Sequence, residues 1–280
     1  MPPDPSKQMP PTVPMALTVN GAEIAFDIAP GLNGPAFFCL GVRKSGSSLF
    51  NQITGYLAQR NAVPNVALPD RMFRLGLRAR DWAEIDLTPL IHPGNLYSAF
   101  RTLPPGLSAA QGYRDGRKVF MFRDPRDALV SLYYSDSYSH GLPQASGALG
   151  DGRALFEAKR AAALQTPIDD YVLREARPML RTLTQYATLL EDPQCLCLRY
   201  EDYLFQKRRL VRKVLAHFGW NLGQGQIERL MGMVDKLPEA ENPANFLRKA
   251  VPGDHRVKLK PETIAALDKV LRPVLTLYDC

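Results

Sequence analysis

The sequence predicts an α/β fold with a central parallel β-sheet flanked by helices. Three observations carry this. Residues 36–40, 119–122 and 196–198 are short apolar runs, the mark of strands buried on both faces. Helical spacing of apolar residues follows each run, as in Leu49, Phe50, Ile53 and Leu57 after the first. Strands that alternate with helices give parallel strands joined by crossovers.

The elements follow in order. The chain has 280 residues, 45% of them apolar, enough for one large domain with a sizeable core. Residues 1–16 are rich in Pro and lack the basic-then-apolar pattern of an export signal, so a disordered tail is expected ahead of a single domain over 17–280. Residues 17–29 alternate around Asn20-Gly21, which predicts a hairpin. The first buried strand runs into the glycine-bearing loop 41–46, and a helix starts near Ser47 or Ser48. After the second strand, Asp124-Pro125 is a helix start, with Asp as N-cap and Pro in the first turn. Leu210, Val214, Leu215 and Phe218 mark a helix that stops at Gly219. A last helix begins near Pro261.

The totals narrow the chemistry. Net charge is +7, which favours an anionic partner: a phosphorylated cofactor, an acidic substrate or nucleic acid. No run approaches the roughly 18 apolar residues of a membrane span. The four cysteines, Cys39, Cys195, Cys197 and Cys280, have neither zinc nor redox spacing and read as reduced structural thiols. Cytoplasmic location and no metal are the expectations.

Loop 41–48 has the ingredients of a phosphate cradle. A helix N-terminus offers free backbone N–H groups, Gly41 and Gly46 let the backbone turn tightly, Ser45, Ser47 and Ser48 add hydroxyls, and Lys44 adds a charge. It is not a Walker A loop, because Lys44 precedes Gly46 and Ser47 stands where that pattern has its Lys. On spacing alone, a simple Ser/Gly helix cap remains open.

Four segments, in order, resemble the cytosolic-type sulfotransferase family. Arg43-Lys44-Ser45-Gly46-Ser47-Ser48 resembles its P-K-S-G-[TS]-[TS] loop, with Arg43 in place of Pro. Residues 123–131 resemble R-[ND]-P-x-D-x-x-x-S, Tyr200-Glu201-Asp202 resembles Y-E-D, and residues 246–254 resemble F-x-R-K-G…G-D with Ala250 in place of Gly. The resemblance implies a P-loop-like three-layer sandwich and a 3′-phosphoadenosine 5′-phosphosulfate (PAPS) donor. It implies that residues 43–48 hold the 5′-phosphosulfate, that Arg123, Ser131, Arg248 and Lys249 hold the 3′-phosphate, and that Tyr200 and Phe246 place the adenine. Lys44 is then the group that stabilises charge on the leaving phosphate.

The acceptor hydroxyl needs a general base. The resemblance implies a His in a K-T-H-L-P segment, but the matching stretch is Phe100-Arg101-Thr102-Leu103-Pro104, which puts Thr102 there. His92 and His140, in loops near the candidate strands, are the replacements; Glu84 and Asp136 are carboxylate alternatives. By the same resemblance, residues 70–93 and 135–152 form the acceptor site, the second as a mobile lid. The Arg-rich, aromatic first stretch suits a sugar, a phenol or an anionic acceptor, and a small molecule, glycan or glycolipid is the expected partner. The family's dimer motif is not recognisable, so a homodimer stays open. Two alternatives remain: a nucleotide kinase with a degenerate P-loop, and a non-catalytic nucleotide or RNA binder. The sequence has no RNP-like motif, which favours no nucleic-acid partner.

Overall fold

The computed structural model describes residues 8–144, 149–236, 238, 240–245, 248–249 and 251–280. The hairpin comes first. β1 (Val13–Val19) pairs antiparallel with β2 (Ala22–Ile28), in register from Val13 opposite Ile28 to Val19 opposite Ala22. Asn20 and Gly21 both have positive φ, 51° and 80°, the backbone of a two-residue hairpin turn. The strand starts at Val13, so residues 13–16 belong to the folded domain and not to the expected tail.

The main sheet has β3 (Phe37–Gly41), β4 (Asn65–Val66), β5 (Leu96–Phe100), β6 (Arg117–Phe122) and β7 (Cys195–Arg199) in the spatial order β4-β5-β3-β6-β7. All four pairings are parallel. The crossovers include α1 (Ser47–Arg60), α2 (Leu68–Arg74), α3 (Pro125–Tyr134), α4 (Gly152–Leu164) and α5 (Ile168–Tyr186). α6 (Lys207–Phe218), α7 (Gln224–Val234) and α8 (Pro261–Leu277) complete the layers.

Side-chain alternation along the strands divides the core in two. Phe38, Leu40, Phe120 and Phe122 face one side, where they pack with α3, α5, α8 and the hairpin. Phe37, Cys39, Val119 and Met121 face the other, against α1, α6 and α7. This is the expected three-layer sandwich. Each fully buried Phe or Leu contributes about 1.5–3 kcal/mol through removal of apolar area from water.

β5 departs from regular geometry. Ala99 has a left-handed φ of 70°, and the β3–β5 register shifts between Phe38 and Leu40. A bulge of this kind bends a strand and re-aims the residues beyond it; here those are Arg101 and Thr102. No helix among the described residues is long and apolar enough to cross a membrane.

Candidate active site

In an open parallel sheet the crevice lies beyond the carboxyl ends of the strands, where the chain switches direction. Here β3 is central; the chain fills β4 and β5 on one side, then crosses to β6 and β7 on the other. A cavity of about 640 Å³ opens at that edge. The ends of β3, β5, β6 and β7 deliver Lys44, Arg101, Arg123 and Tyr200 to it. Its described lining holds ten Lys or Arg side chains and one carboxylate, Asp70.

The loop after β3 is shaped by two left-handed residues, Lys44 at φ 67° and Gly46 at φ 80°. Gly46 has a steric requirement too: a Cβ there would sit 2.7 Å from the Tyr200 ring. α1 begins at Ser47 with no side-chain cap, so its first N–H groups face the anion side of the loop. Arg43, Lys44, Gly46, Ser47 and Ser48 all line the cavity. Ser45 does not. Its hydroxyl donates to the Val42 carbonyl at 2.7 Å and the Met121 carbonyl at 3.0 Å, and its side chain is fully buried. The expectation that Ser45 offers its hydroxyl to a ligand is corrected: it ties the loop to β6.

Burial, with repulsion from Arg43, Arg123 and Arg101 against attraction from Asp136, lowers the Lys44 ammonium to about 8. Arg43 lies 3.8 Å from Asp136, a buried carboxylate that also pairs with Lys159 at 2.6 Å and accepts from the Tyr171 hydroxyl. Burial alone would raise Asp136, but the Arg43 and Lys159 charges bring it below its ordinary value.

Arg123 leaves β6 and is nearly buried. One Nη donates to the Lys44 carbonyl at 3.4 Å, another lies 3.6 Å from Asp127, and the guanidinium sits 4.7 Å over the Tyr200 ring. Ser131, two turns into α3, also lines the cavity. Arg248 and Lys249 reach it from the far segment. Both pair with the buried Asp254, Lys249 at 2.8 Å, and Arg248 stacks 4.1 Å over Tyr134. Phe246 lies outside the described residues.

The two candidate His bases part company. His92 precedes β5, at the amino edge of the sheet; its Nε2 is 3.2 Å from the Pro89 carbonyl, and it does not line the cavity. His92 is therefore corrected. In a parallel sheet a residue ahead of a strand lies at the edge opposite the crevice. His140 lines the cavity, its ring 5.6 Å from Phe73 and 4.8 Å from Phe156. Its Nδ1 is 2.7 Å from the Gly141 carbonyl, which can only accept, so Nδ1 carries the proton and Nε2 keeps its lone pair. Burial, with Arg43 and Lys44 nearby, lowers its pKa. Thr102 lines the cavity as well, whereas Glu84 is exposed and outside it.

Residues 35–279 match the sulfotransferase domain family. The chain belongs to that family. Among solved structures it is similar to mouse sulfotransferase SULT7A1 complexed with PAP, at 11% identity and TM-score 0.59, over 89% of this chain and 87% of that one. It is also similar to retinol dehydratase in a complex with retinol and PAP, at 16% identity and TM-score 0.55, over 88% and 82%. These identities speak for the shared fold. Comparison with curated protein sequences gave no match.

The candidate site also depends on residues to which the sequence reading assigned no role. Asp127 stood there only as the second Asp of the segment 123–131. It accepts from the backbone nitrogens of Gly253 at 2.6 Å and His255 at 3.0 Å, and from His255 Nδ1 at 2.7 Å. Asp254, the residue between them, holds Arg248 and Lys249. Asp70 pairs with Arg101 at 2.8 Å at the cavity wall. The expected lid is partly a π-helical turn, Ser135–Ser139, and partly a strap joined to the end of α2, while residues 145–148 lie outside the described residues. Among the described residues, no group of three or more His, Cys, Asp and Glu is arranged to hold a metal ion.

Proposed function

We propose that this sulfotransferase moves a sulfuryl group from PAPS to a hydroxyl of a small-molecule or carbohydrate acceptor by in-line displacement. One observation carries the reading. One cavity is lined both by the loop around Lys44 and by Arg123, Arg248 and Lys249, enough cations for the two phosphate ends of one nucleotide. The second set is what a nucleotide with a 3′-phosphate requires, and ATP would leave it unfilled. The donor set fits: uncapped helix N–H groups at one end and guanidinium with ammonium at the other.

When bound, PAPS supplies the sulfuryl group and a phosphate leaving group. The Ser47 and Ser48 backbone, with Lys44, holds the 5′ end; Lys44 stabilises charge as it grows on the bridging oxygen. Arg123, Ser131, Arg248 and Lys249 grip the 3′-phosphate, and Tyr200 buttresses the loop through Gly46. His140, neutral near pH 7 because its pKa is lowered, accepts the acceptor's proton at Nε2. Thr102, where the resemblance implied a base, is left to hydrogen-bond the acceptor.

The test has two parts. Thermal shifts are measured with 3′,5′-adenosine bisphosphate (PAP), ATP-Mg²⁺ and RNA; stabilisation by ATP-Mg²⁺ but not PAP ends the sulfotransferase reading. His140→Gln is then expected to lower kcat by about 10²–10⁴-fold with PAP affinity retained. Undiminished kcat removes His140 as the base.

A further inference from the structure

We infer that the acceptor is an acidic hydroxyl compound, its anionic group held by Arg74 with Arg78 and its apolar body lying against Phe73 and Phe156. This rests on the sulfotransferase reading and names the substrate class of that same site. The observation is an imbalance at the acceptor wall. Arg74, Arg78 and Arg101 line the cavity beside Phe73, Trp82 and Phe156. Arg101 is matched by Asp70 at 2.8 Å. Arg78 is partly matched, by Asp151 at 3.2 Å and Asp81 at 3.8 Å, and its Nε is buried without a hydrogen-bond partner. Arg74 makes no ion pair among the described residues.

The donor does not account for Arg74. The donor's anions have Lys44, Arg123, Arg248 and Lys249. Arg74 lines the same cavity as Phe73, Phe156 and His140, whose rings pack together. The charge of the described wall is one-sided: Asp70 is its one carboxylate, and Arg101 engages one of its oxygens.

The cationic segment is also held in place. The Leu149 nitrogen donates to the Leu75 carbonyl at 2.7 Å, and the Gly152 nitrogen to the Gly76 carbonyl at 2.9 Å. Gly150 lies so close that a Cβ there would be 2.8 Å from the Gly76 oxygen. These contacts order the backbone from which Arg74 and Arg78 project; the Arg74 side chain itself is exposed.

The experiment uses three related phenols: 3-(4-hydroxyphenyl)propionate, its methyl ester, and tyramine. Their binding to the PAP-saturated full chain is measured by calorimetry, and their sulfation by PAP release. The expected order is acid, ester, amine, with the acid about tenfold tighter than the ester. Arg74→Gln is expected to bring the acid-to-ester ratio to within about twofold, and Arg78→Gln to reduce it. Equal or tighter binding of the ester overturns the inference, as does an unchanged ratio in Arg74→Gln. Because the readout is binding to the PAP complex, the two claims fail separately. Loss of PAP binding ends the sulfotransferase reading; retained PAP binding without acid preference ends only this one.

Discussion

Asp127 Oδ1 lies 2.7 Å from His255 Nδ1, and both side chains are buried. The contact joins α3, which carries Ser131, to the segment that carries Arg248 and Lys249. It thereby fixes one half of the proposed 3′-phosphate site against the other. Neither residue is called on to touch the nucleotide; both position those that do.

Asp127→Asn tests that role. Burial would raise the Asp127 carboxyl, but the His255 hydrogen bond, the Arg123 charge and the two backbone donors outweigh it and hold it down from 3.8 to about 2. A depressed carboxyl contributes stability that is present above the unfolded value of 3.8 and is lost as pH falls through the folded value of about 2. The contribution near neutrality is about 2 kcal/mol. The Asn variant is expected to lose roughly that amount in urea unfolding at pH 7 and to bind PAP about tenfold more weakly. A smaller loss for 5′-AMP, which lacks the 3′-phosphate, would locate the defect at that end of the site.

Lys44 predicts a pH dependence of binding. Its folded value of about 8 is below the ordinary 10.5, so the free protein loses this cation as pH rises through about 8. PAP affinity measured by calorimetry from pH 7 to 9.5 should fall across that range. Lys44→Arg keeps the charge and should flatten the profile. A flat wild-type profile would remove Lys44 charge from donor binding.

Gly46→Ala is predicted to fail at the loop. The added Cβ meets the Tyr200 ring at 2.7 Å, and φ at 80° disfavours any side chain. Turnover should fall by about 100-fold or more, by the magnitude of a lost oxyanion donor. Gly46→Ala with Tyr200→Ala relieves the clash and not the φ, so it should recover part of the loss.

Ser45→Ala separates support from ligation. Removing its two buried hydrogen bonds should cost about 1–3 kcal/mol in unfolding experiments. PAP affinity should change less than fivefold, whereas a direct phosphate ligand would lose more.

Much of the proposed donor side could be read from the sequence, because it is local. Strand, loop and helix are contiguous around Lys44, and Arg123 and Ser131 lie on one strand–helix turn. Ser45 misled for a local reason as well: its hydroxyl faces β6, and the partner carbonyl on Met121 is far away in the chain. The mistake over His92 came from proximity along the chain, which carries no information about which edge of the sheet a loop occupies unless strand direction is used.

The sequence by itself determined the α/β class, the loop that presents Lys44 and the cations that come after it, since short-range patterns of apolar runs, glycine and charge are set by backbone geometry. Only the tertiary structure decided that His140 reaches the cavity while His92 does not, that Asp127 joins His255, and that Arg74 stands without an ion-pair partner among the described residues. The physical reason is that burial, desolvation and pairing depend on which distant segments pack together. A charge acquires its role from the partners that folding brings to it.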